Sequence, residues 1–185
     1  MNAEFELTMS RALEATKRDA ADESERLCQH AMALEPRAAI PHYLRATNLA
    51  HAGRYELAEA SYMASLTRAP DFAIARFQLG LLQLTGHRPA IAHASWEPLL
   101  ELADEHPLKL FVQGFLAILE ENWDRAREVI LRGIERNHEN APLNDDMAGV
   151  LRRIDALQTG DRRVPGGAVA ETSAAHFLIG TYRQQ

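Results

Sequence analysis

The amino-acid sequence predicts an all-α protein built from stacked helix-turn-helix repeats, and three observations predict it. Small residues recur at Ala12, Ala46, Gly80, Gly114 and Ala148, each 34 residues after the last. Ser24, Ala58, Ala92 and Ala126 keep the same interval of 34, and four residues beyond each stand Cys28, Tyr62, Trp96 and Ile130, a larger group on the same helical face. No stretch alternates apolar and polar residues for long enough to make a sheet. Three parallel features at one interval mean a repeat, in which each unit buries its apolar face only against its neighbours.

The stretch GRYELAEASYMASLTRAP, the prolines Pro36 and Pro70, and the second copy NWDRAREVILRGIE resemble the tetratricopeptide repeat family. The family's unit is a 34-residue helix-turn-helix with small residues at the helix crossing and a proline near its end. The resemblance runs over roughly residues 3 to 157 and implies a tetratricopeptide-type helix-turn-helix solenoid of four helix pairs plus a capping helix.

Taken in order, the elements follow from that frame. Gly53 closes a first helix, Tyr55 starts a second, and Ala46 with Ala58 lets the pair approach. In the third unit Pro89 opens the second helix, whereas Pro98 falls inside it, so a kink or an early stop is expected near Glu97. Pro107 is read as the first turn of the next helix, where a missing N–H costs little. Trp123 takes the place of Tyr55 at the start of the fourth unit's second helix. Asp145 and Asp146 are placed in the first turn of the fifth, where carboxylates suit the helix dipole, and Leu151, Ile154 and Leu157 give that helix an apolar face. Arg11, Arg45 and Gln113 occupy positions where the family has a large apolar residue, and snorkelling stems are expected to fill them. Residues 1–157 form the repeat array, 158–167 a linker rich in glycine, and 168–185 a tail whose apolar content is Phe177, Leu178, Ile179 and Tyr182.

Composition bounds the function. A chain of 185 residues with 46% hydrophobic content buries a core of its own, and its 20 basic against 26 acidic side chains, net charge −6, are mixed along the sequence. No phosphate-neutralising stripe results, so nucleic acid is not expected as a partner. No run approaches the roughly 20 apolar residues that span a bilayer and the amino terminus has no signal-peptide core, which predicts a cytoplasmic protein that is not embedded in a membrane. Cys28 is the single cysteine, so no intramolecular disulfide can form.

Catalytic chemistry finds no carrier in the sequence. None of the eight histidines makes an i, i+4 pair with another, H-E-x-x-H is absent, and no phosphate loop, dinucleotide fingerprint or G-x-S-x-G occurs. No catalytic residue, metal site or cofactor is therefore expected, and Cys28 reads as a buried thiol.

Function then has to come from a surface. In the family the first helices of successive units line a concave groove, and the resemblance maps three rows to it. These are Met9, Tyr43, Phe77 and Phe111; Leu13, Thr47, Leu81 and Phe115; and Thr16, Ala50, Leu84 and Ile118. The residues expected to bind are Tyr43, Thr47, Phe77, Leu81, Leu84, Phe111, Phe115 and Ile118, an apolar wall larger than monomers usually leave exposed. The Lys, Asn and Arg with which family members grip acidic chaperone tails are missing from these rows. An adaptor or chaperone that holds an apolar peptide or helix of another protein is the expectation, with some similarity to small acidic tetratricopeptide secretion chaperones. The alternative is a structural subunit of a permanent complex or homo-oligomer, and an enzyme is a distant third. The tail is expected to cover part of the Phe111 to Ile118 wall, in the same chain or by exchange in a homodimer.

Overall fold

The computed structural model describes residues 3–159. Those residues form nine helices and no strand. They are α1 Ala3–Lys17, α2 Ala21–Leu34, α3 Ile40–His51, α4 Tyr55–Arg68, α5 Ala73–Thr85, α6 Pro89–Leu100, α7 Pro107–Leu119, α8 Trp123–Arg136 and α9 Ala141–Thr159. Tyr55, Pro89, Pro107 and Trp123 open the helices that the sequence assigns to them. The α9 helix runs to Thr159, so it includes the first two residues of the segment expected as a linker, and the remainder of that segment lies outside the described residues. The tail at 168–185 lies outside the described residues.

The chain forms two compact units, the first ending at Leu82 and the second beginning at Gln83, a boundary inside α5 that no break in the repeat foretells. In the first unit α1 packs on α2 and α3 on α4, with Ala12 and Ala46 at the crossings and Ser24, Ala58, Cys28 and Tyr62 buried opposite them. Ser24 stands where the other units carry alanine, so its buried hydroxyl needs partners. It donates to the Ala12 carbonyl at 3.2 Å, lies 2.9 Å from the Thr16 hydroxyl and accepts from the Asn48 amide at 2.7 Å. Arg45 does more than snorkel. Its Nε donates to Glu25 at 2.7 Å and its Nη1 to the Ser61 hydroxyl at 3.0 Å, tying α2, α3 and α4 together in a position that is about a quarter exposed.

In the second unit α7 and α8 make the most intimate pair, and two glycines explain why. A Cβ on Gly114 would run into the Ile130 side chain, and one on Gly133 would meet the edge of the Phe111 ring. Trp96 and Ile130 fill the positions that Cys28 and Tyr62 fill in the first unit, all buried. The loop before α7 is pinned to α8 by Glu105, which accepts from Arg132 and from Arg136 at 3.0 Å. The α9 helix closes the unit through Leu143, Met147, Val150, Leu151 and Ile154, with Arg127 paired to Asp155 and Gln158 donating to Asp124 at 3.0 Å. Ala148 is only half-buried, and among the described residues no helix follows α9 to cross it.

Three local expectations are corrected. The α6 helix continues through Pro98 to Leu100 and does not stop near Glu97. Pro98 falls in its last turn, where only one backbone bond is forfeited. Asp145 and Asp146 lie beyond the first turn of α9, which begins at Ala141 and is capped by Asn140, whose Oδ1 accepts from the Leu143 N–H at 3.1 Å. Leu157 is exposed, so the apolar face of α9 ends at Ile154.

Candidate functional site

The rows that the sequence assigns to a groove sit on α1, α3, α5 and α7. In the first unit Tyr43 is half-buried, its ring centroid 5.1 Å from Phe72 and 6.1 Å from Tyr62, both tilted at 54°. Burial raises the Tyr43 phenol above its ordinary pKa, so it stays neutral. Thr47 is also half-buried, and its hydroxyl donates to the Tyr43 carbonyl at 3.1 Å. Phe77 and Leu81 on α5 are buried.

In the second unit Leu84, Phe111, Phe115 and Ile118 are buried, none more than 2% exposed. Two of them have identified packing partners. The Phe111 ring occupies the space left by the missing side chain of Gly133, and the Phe115 ring stacks on Trp96 at 5.8 Å between centroids and 27° between planes. The six large aliphatic and aromatic members of the expected wall are thus core side chains in this conformation, not an open surface. The row member that remains exposed is in the first unit, where Leu13 on α1 is 47% exposed and Met9 is half-buried. Outside the rows, Ile40 at the start of α3 is 54% exposed. Ile40 was not among the expected contacts, although its place one turn before Tyr43 could have flagged it.

Little else in the described residues offers chemistry. Burial pushes the Cys28 thiol up to about 11, so at neutral pH it is a protonated core group and not a nucleophile. His42 is lowered by burial and by the neighbouring Arg68 and Arg45 guanidiniums, and stays neutral at physiological pH. No three His, Cys, Asp or Glu side chains gather as a metal would require among the described residues. A crevice of about 120 Å³ lies between the α1–α2 turn and the end of α3, lined by Thr16, Asp19, Ala21, Asn48, His51 and Ala52. It is smaller than the ~300 Å³ at which cofactor-sized pockets begin. No helix of the described residues is long and apolar enough to cross a membrane.

Comparison with known proteins supports the fold and stops there. No protein-family model matches the chain, and no curated protein does. Among solved structures, residues 41 to the end of MamA from Desulfovibrio magneticus RS-1 match with a TM-score of 0.61 at 16% identity, covering 98% of this chain and 94% of that one. A MamA RS-1 double mutant described as ArsTM matches with a TM-score of 0.60, at the same identity and coverage. MamA is a tetratricopeptide-like helical protein, so the all-α, tetratricopeptide-type fold expected from the 34-residue spacing is the fold of this chain.

Proposed function

We propose that this chain is a non-catalytic protein-interaction module, an adaptor or chaperone that works in the cytoplasm and takes an apolar peptide or helix of a partner on its first helices. One observation carries the reading. The large apolar side chains of the first helices recur at the repeat interval, while the polar and titratable groups described above are engaged in structural hydrogen bonds and ion pairs or stand singly. The binding residues in the first unit are Tyr43, Thr47, Phe77 and Leu81, and in the second Leu84, Phe111, Phe115 and Ile118. Because most of these are buried, the ligand must displace packing to reach them, and Leu13, Ile40 and Tyr43 are where contact can begin.

The burial of Phe111 and Phe115 favours a second reading, that of a structural subunit held in a permanent complex or homo-oligomer by its outer faces. In the first unit Leu57 and Met63 on α4 are exposed and available for that role. A photo-crosslinking side chain placed at Leu13, and in a separate variant at Met63, distinguishes the two in the native cell. Transfer to a partner protein from position 13 and not from position 63 supports the peptide-binding reading. The reverse supports the structural one.

A further inference from the structure

We draw no further inference here: the strongest candidate, the exposed apolar side chains of the first unit at Leu13 on α1 and Ile40 on α3, carries nothing beyond the proposed function because nothing in the structure shows what covers them.

Discussion

Asp19, Gly53, His87 and Glu121 stand 34 residues apart and share a left-handed backbone, with φ of 57°, 70°, 61° and 56°. They are the same turn in successive units, and only one of them is glycine. A side chain in this region costs roughly 1–2 kcal/mol, less for Asp, and a glycine gives part of that gain back as unfolded-chain entropy of about 0.4–1 kcal/mol. Glu121→Gly is therefore expected to stabilise the protein by about 0.5–1 kcal/mol, and Gly53→Ala to destabilise it by about 1 kcal/mol even though the space around Gly53 is open. Urea denaturation of the two variants reads both signs; the same sign for both would contradict a shared turn. The sequence showed this turn plainly only at Gly53, because Asp19 and His87 are only weak signs of a positive φ and Glu121 is none.

Helical glycines give a second contrast at the same scale. Replacing one by alanine gains up to about 1 kcal/mol of helix propensity, so the neighbours decide the outcome. Among the described residues Gly149 has only the end of the Arg152 side chain nearby, at 3.6 Å, and Gly149→Ala is expected to raise stability by most of that amount. Gly133 faces the fully buried Phe111 ring, which cannot swing away without opening a void. Overpacking of this kind costs ~1–3 kcal/mol, so Gly133→Ala should be a net loss. Thermal melts of both variants test the pair, and a gain at Gly133 would mean that Phe111 is not seated there.

At the scale of elements, helix starts were legible where a proline or an aromatic opens them, while the asparagine caps that stand before α8 and α9 were not read. Asn122 accepts from the Arg125 N–H at 3.2 Å and caps α8, while Asn140 caps α9. Asn137 adds a brace between those helices, donating to the Asn144 side chain at 2.7 Å and receiving the Asn144 amide on its own carbonyl at 2.8 Å. Loss of a capping side chain typically costs ~0.5–2 kcal/mol. Asn122→Ala should fall in that range and should raise hydrogen exchange first in the opening turn of α8, where the freed N–H lies. Exchange unchanged at Arg125 would show that the cap contributes nothing. The pairing of α1 with α2, α3 with α4 and α7 with α8, by contrast, was legible, because a small residue at a crossing must be repeated whenever the crossing is repeated. Ser24, Ala58, Ala92 and Ala126 are all fully buried.

For the whole molecule, the same regularity that made the fold readable did not say how open the apolar face is. Spacing identifies which residues share a face, but whether that face is open depends on how closely neighbouring elements approach, which depends on residues such as Gly133 that no row contains. Phe111 and Phe115 were placed on the correct helix, and their burial follows from the packing partners that the spacing did not supply. The proposed function can be tested on that distinction. Removing a buried phenylalanine costs ~3–5 kcal/mol of stability, whereas a side chain that also anchors a ligand lowers affinity in the fraction that stays folded. Phe115→Ala loses the stack on Trp96 and is expected to melt earlier; at a temperature where it is still folded, it should bind the crosslinked partner at least tenfold more weakly if the row is part of the site. Leu13→Ala, exposed and outside that core, should weaken binding with little change in melting. The rows contain no charged side chain at their eight assigned positions, so affinity should vary little between low and high salt, where exposed ion pairs are screened. Normal binding by folded Phe115→Ala and Leu13→Ala together with a steep salt dependence would move the contact to the charged outer helices and leave the structural-subunit reading in its place.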